Sequence, residues 1–178
     1  MIHLLVHARS SGSRPKKVIV FLSIVMYAFL LLGCNSSEKV NTDINTITGY
    51  IVKNEHTRLL VVAQRPYRDH DYETIWITSQ DAANFTVGQL VEAQLKGQIQ
   101  TSNPAQGVSE QISAINMEAI PGAHKTKEDV LKEALSKLQH VEVPIVKDIT
   151  FSSDNQKWIL VFSDSKHVDQ EITVDIND

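Results

Sequence analysis

The chain has 178 residues, 42% of them hydrophobic, with 17 Lys and Arg against 21 Asp and Glu and a formal net charge of −4. A negative balance without a basic cluster in its folded part opposes sequence-independent nucleic-acid binding, which draws on clustered Lys and Arg. The single cysteine, Cys34, excludes an intramolecular disulfide and any paired-cysteine metal or redox motif.

In chain order, the first informative stretch is Val18 to Cys34, VIVFLSIVMYAFLLLGC. Its fifteen uncharged residues from Val18 to Leu32 span roughly 22 Å as a helix, short of a hydrocarbon core of roughly 30 Å. Arg14, Lys16 and Lys17 precede it, the cationic flank that stays cytoplasmic during export. This order reads as a secretory signal over residues 1–33. Leu31-Leu32-Gly33-Cys34 resembles the lipobox of bacterial lipoproteins. The resemblance implies cleavage between Gly33 and Cys34 and a diacylglycerol on the Cys34 sulfur. Leu32 departs from the pattern, which prefers a smaller or β-branched residue there. The competing reading is an uncleaved helical anchor, and both place the rest of the chain outside the cytoplasm. The long leader Met1 to Ser13 fits a start placed too far upstream.

Arg9, Arg14, Lys16 and Lys17 lie before residue 34 and no acid does. The mature part therefore carries 13 bases against 21 acids, a net −8. Acylation would also consume the only thiol. Residues 34–45 are polar and aperiodic, a flexible tether with a reach of roughly 17–20 Å.

From Thr46 the pattern becomes strand-like. Ile47–Val52, Arg58–Ala63, Thr74–Thr78, Leu90–Leu95 and Gln111–Ile120 read as five strands, with Asp81–Phe85 as a short helical turn. Gly97 allows a bulge, and Asn103-Pro104 breaks regular structure. Five short strands predict a small OB-like antiparallel barrel over residues 46–120, with a sandwich as the alternative. Pro121-Gly122 marks a boundary. Thr126 to His140 is the clearest helix: Thr126 and Asp129 form a capping-box pattern, and Val130, Leu131, Ala134, Leu135 and Leu138 share one face. Three strands follow, Ile145–Phe151, Lys157–Phe162 and one around Ile172, Val174 and Ile176. This α+β unit, residues 126–178, is marginal alone and is expected to pack on the barrel or on a partner.

Among chemistry-bearing groups, Asp69, His70 and Asp71 could hold a divalent cation or act as an acid–base pair. Adjacent residues of an extended segment point apart, so a solvated loop is the simpler reading. His56, His124, His140 and His167 are isolated, and the chain carries no HExxH, G-x-S-x-G or phosphate-loop pattern. No catalytic residue, cofactor or enzymatic activity is expected. Tyr50, Tyr67, Tyr72 and Trp76 could form an aromatic face that stacks a sugar or base. Trp76 lies between Ile75 and Ile77: either it is core and they face outward, which is the expected arrangement, or they are core and it faces out. Trp158, in a continuous apolar run, is expected in the core.

Gly49-Tyr50-Ile51-Val52, Ile75-Trp76-Ile77, Val87-Gly88-Gln89 and Thr101-Ser102-Asn103-Pro104-Ala105-Gln106 stand in the order and spacing of a known pattern. Over about Thr46 to Ala119 the chain resembles the YobA-like domain of Gram-positive lipoproteins. That family is a domain of unknown function with a small OB-like barrel. The family pattern often has an aromatic residue where this chain has Asn103. The resemblance implies a Gram-positive envelope, and with Cys34 it leads to an extracytoplasmic, membrane-anchored binding or interaction module. Its expected partners are membrane lipid and an envelope protein or small ligand, not nucleic acid.

Overall fold

A computed structural model describes residues 45–66 and 73–178. Strands β1 (Asn45–Asn54), β2 (Arg58–Ala63), β3 (Thr74–Thr78), β4 (Leu90–Gln100) and β5 (Ala105–Ile115) close into a barrel in the order β1-β2-β3-β5-β4. That is the OB strand order. The barrel is mixed rather than wholly antiparallel, because β3 and β5 pair in parallel, Ile75 opposite Ala105 and Thr78 opposite Val108. Expected tether residue Asn45 is the first residue of β1, opposite Leu95 of β4.

β5 starts six residues earlier than the sequence pattern predicts and ends at Ile115. Its first half, Ala105 to Glu110, has no apolar run, so propensity does not announce it. Pairing supplies what propensity lacks: this segment lies between β3 and β4 and bonds to both. Gly49 takes part in both β1 ladders, opposite Ala63 and Val91. A Cβ there would sit 2.2 Å from the Val62 carbonyl oxygen, so the closure of the barrel at this point needs glycine.

The barrel interior is filled by Ile47, Ile51, Leu59, Val61, Ile75, Ile77, Val91, Ala93 and Leu95. Ala82, in a 3₁₀ turn at Ala82–Asn84, joins the same cluster, and Asn54 Nδ2 holds that turn by donating to the carbonyls of Ala82 and Phe85.

Helix α1 (Lys127–Lys137) follows, then β6 (Pro144–Ser152), β7 (Lys157–Asp164) and β8 (His167–Asn177), an antiparallel sheet in the order β6-β7-β8. The capping box is formed: Thr126 Oγ1 accepts from the Asp129 N–H at 3.1 Å, and the Asp129 carboxylate accepts from the Thr126 N–H. Such caps contribute about 1 kcal/mol. Val130, Leu131, Ala134, Leu135 and Leu138 face a second core with Trp158, Leu160, Phe162, Val174 and Ile176 of the sheet. Trp158 is fully buried, as its apolar run predicts.

The second core also contains Tyr50, Val52, Leu60, Val62 and Leu90, which point out of the barrel. β2 is therefore covered on both faces: Leu59 and Val61 fill the barrel while Leu60 and Val62 meet the helix and sheet. Strands buried on both faces read as continuous apolar runs, which explains RLLVVA. All the described residues belong to one compact unit. The open edge of β8 is shielded by lysines. Lys125 Nζ donates to the Asn177 carbonyl at 2.6 Å and Lys137 Nζ to the Asp175 carbonyl at 3.4 Å, occupying acceptors a foreign strand would use.

Candidate binding site

A groove with an apolar floor runs where α1 meets the barrel. It encloses about 440 Å³, between β1 and Val87 on one side and α1 with Pro144 on the other. Val52, Leu135 and Leu138 form its buried floor. Lys53, Glu55, Lys132 and Gln139 give it a polar rim. A volume of this size with an apolar floor and a few polar groups matches small-ligand sites in general.

Two contacts hold α1 in place. Gly88 has φ +98, and a Cβ on it would lie 2.8 Å from the Glu128 carbonyl oxygen, so the turn before β4 touches the helix backbone directly. The Asp178 carboxylate ties the segment leading into α1 to the sheet. Its Oδ1 accepts from Trp158 Nε1 and from the Lys125 N–H, both at 2.9 Å. Its Oδ2 accepts from the His124 N–H at 2.7 Å and lies 2.8 Å from His124 Nδ1. The Asp178 side chain is only 1% exposed. Burial alone raises the pKa of such a carboxyl. Here the hydrogen bonds from Lys125, His124 and Trp158 outweigh that effect and hold it well below the usual carboxylate range.

The aromatic residues do not assemble into one open face. Tyr50 is 8% exposed and packs in the second core. Its hydroxyl accepts from Gln64 Nε2 at 3.4 Å. Burial pushes its pKa up, the Gln64 bond draws it back in part, and the Asp148 charge raises it further. Ile75 and Ile77 are fully buried inside the barrel, which turns Trp76 outward. This reverses the reading that places Trp76 in the barrel core: with Ile75 and Ile77 inside, alternation along β3 turns the residue between them outward. The indole is half-buried against the second core and roofed by the Arg58 guanidinium, 4.3 Å from the ring centroid. Glu55 holds that guanidinium through Arg58 Nε at 2.6 Å. A sugar stacking on this ring face would have to displace Arg58.

Gly33, Cys34, Tyr67, Tyr72, Asp69, His70 and Asp71 lie outside the described residues. Among the described residues, no three His, Cys, Asp or Glu side chains converge on a metal-sized site, and no helix is long and apolar enough to cross a membrane. Sequence reasoning missed Lys53, Lys132 and Gln139, since surface residues on two separate elements carry no shared local signal. Gly88 was the available clue, a glycine beside β4 that marks a close backbone approach.

A family model described as a protein of unknown function (DUF3221) matches residues 48–116. The matched stretch runs from β1 to just past the end of β5 and stops before α1. No curated protein and no solved structure matches the chain. By sequence, then, the barrel carries the match to that family of unknown function, and the helix and sheet that cover it lie beyond the match.

Proposed function

We propose that this protein is a lipid-anchored, non-enzymatic binding module on the outer face of a cytoplasmic membrane, related to the YobA-like lipoproteins of Gram-positive envelopes. The observation that carries the anchoring is the order of the leader: Arg14, Lys16 and Lys17, a short apolar run, then Leu31-Leu32-Gly33-Cys34. A folded unit begins at Asn45, eleven residues after Cys34. A diacylglycerol supplies two chains, and each buried CH₂ contributes about 0.8 kcal/mol, so two hold where one is marginal. Metabolic labelling with a fatty-acid analogue tests it in the native host. Cys34→Ala is expected to lose the label and accumulate the larger, unprocessed form. Unchanged labelling and unchanged mobility would overturn the anchor.

A second reading, a binder of a small glycan fragment of the envelope, draws support from the groove beside α1. An apolar floor under a rim of ammonium, amide and carboxylate groups suits a saccharide, which offers both an apolar ring face and hydroxyl groups. N-acetylglucosamine oligomers are expected to shift the methyl resonances of Val52, Leu135 and Leu138. Shifts confined to the surroundings of Trp76 would move the site to the aromatic face, and none at either place would end this reading.

A further inference from the structure

A second, strongly polar pocket of about 250 Å³ lies where barrel, helix and sheet meet. It shares no lining residue with the groove beside α1. The barrel contributes Tyr50, Gln64 and Arg65, the helix its first residue Lys127, and the sheet Val146 to Ile149. Residues 50, 65, 127 and 148 are brought together only by the docking of the helix and sheet on β1 and β2.

The donors in this pocket are in surplus. Tyr50 is more than nine-tenths buried, and its hydroxyl accepts from Gln64, which leaves its own O–H proton without an acceptor among the described residues. Burial raises its pKa, so it stays protonated at neutral pH and remains a donor. Lys147 also borders the pocket, but its ammonium is engaged by the Val168 carbonyl at 2.9 Å and by Glu171 at 3.4 Å. Arg65 and Lys127 make no ion pair or side-chain hydrogen bond among the described residues. Asp148 is the one acid in the lining, and its carboxylate accepts from the Thr150 hydroxyl at 2.6 Å. A guanidinium, an ammonium, a phenol and an amide facing one polar cavity supply what an oxyanion needs: charge, and several donors in different directions.

We propose that this pocket binds a phosphate group, with Arg65 and Lys127 supplying charge and Tyr50 and Gln64 supplying neutral donors. Asp148 then faces the remainder of a phosphate ester, where a hydroxyl or ammonium substituent would pair with it. Arg65 sits beside the first residues of β1, since the Gln64 N–H donates to the Thr48 carbonyl at 3.0 Å and Arg65 shares a cleft with Thr46 and Ile47. The pocket thus lies near the start of β1. The phosphate could be borne by a phospholipid headgroup or by a soluble or polymeric glycerol phosphate.

The test uses the full chain in dodecyl maltoside micelles, titrated with inorganic phosphate by calorimetry. Saturable binding is expected, weakened about tenfold or more in the Arg65→Ala/Lys127→Ala double variant, as for loss of charge-assisted hydrogen bonds. Tyr50→Phe keeps the ring in the core and should weaken binding several-fold. Asp148→Asn removes a like charge and should tighten it, a gain that misfolding cannot mimic. Lys96→Ala, on β4 and in neither pocket, should leave phosphate affinity unchanged. Competition by glycerol 1-phosphate assigns a soluble or polymeric source. Competition only by dihexanoyl phosphatidylglycerol assigns a headgroup. Absence of saturable binding, or a double variant that binds like wild type, overturns the site. Cys34→Ala leaves this affinity unchanged, so failure of the anchor and failure of the pocket are distinguishable.

Discussion

Gly88 meets Glu128 so closely that a Cβ on the glycine would stand 2.8 Å from the Glu128 carbonyl oxygen. This contact joins the last turn of the barrel loop to the first turn of α1, and it explains why barrel and helix share one core. A side chain at Gly88 meets two penalties at once, the positive φ and the overlap. Gly88→Ala is expected to cost about 3 kcal/mol, the sum of a left-handed conformation and overpacking. Gly97 has φ +70 but nothing within 4 Å of its Cβ position, so Gly97→Ala should cost only about 1 kcal/mol. Urea unfolding of both variants checks the difference, and equal losses would show that the helix contact is not tight.

Leu59 and Leu60 are adjacent, fully buried, and belong to different cores. Either truncation to alanine should cost about 2–5 kcal/mol, the range for buried leucine. Because β2 is common to both cores, each variant is expected to lower one shared transition seen by far-UV circular dichroism and by Trp158 fluorescence. Two separated transitions would mean that barrel and helix–sheet unit unfold independently.

Asp178 predicts a pH dependence of stability. Its carboxyl titrates below the ordinary aspartate value of 3.8 in the folded protein. A depressed folded pKa contributes stability that is fully present above the unfolded value and is lost as pH falls through the folded value. Wild type should therefore lose stability more steeply than Asp178→Asn as pH falls below about 4, and the two should converge at the acid end. Above pH 5 the variant should melt several degrees lower. Parallel curves would show that the bonds to Trp158, Lys125 and His124 do not depend on the charge.

Trp76 and Trp158 differ in their surroundings, one half-buried under Arg58 and the other fully buried. Trp76→Phe leaves only the buried indole, so acrylamide quenching should fall sharply. Arg58→Ala opens the Trp76 face and should raise quenching, at a stability cost of about 0.5–1 kcal/mol for an exposed cation–π pair. Unchanged quenching in Arg58→Ala would mean that the guanidinium does not cover the ring in solution.

Much of this fold was legible locally. Thr126 and Asp129 announce the start of α1, which ends at Lys137 rather than at His140, and the β-branched runs of β1 to β3 announce their strands, because caps and propensities act within a few residues. β5 begins before its apolar pattern does because Ala105 to Glu110 is recruited by neighbours on both sides rather than by its own composition. The aromatic face proposed from Tyr50 and Trp76 was legible only as residue types; packing put one ring in a core and an arginine over the other.

What the sequence by itself determined is the element list, the helix cap, the surplus of acids after the leader and the Val18–Cys34 pattern. The tertiary structure alone decided which side of β2 is inside, and both sides are. It also decided that Tyr50, Arg65 and Lys127 meet in one pocket. The physical reason is the same in each case: alternation along a strand defines two faces but not what covers them. Here the second face of the barrel is closed by a helix and sheet that begin more than sixty residues after β2 ends.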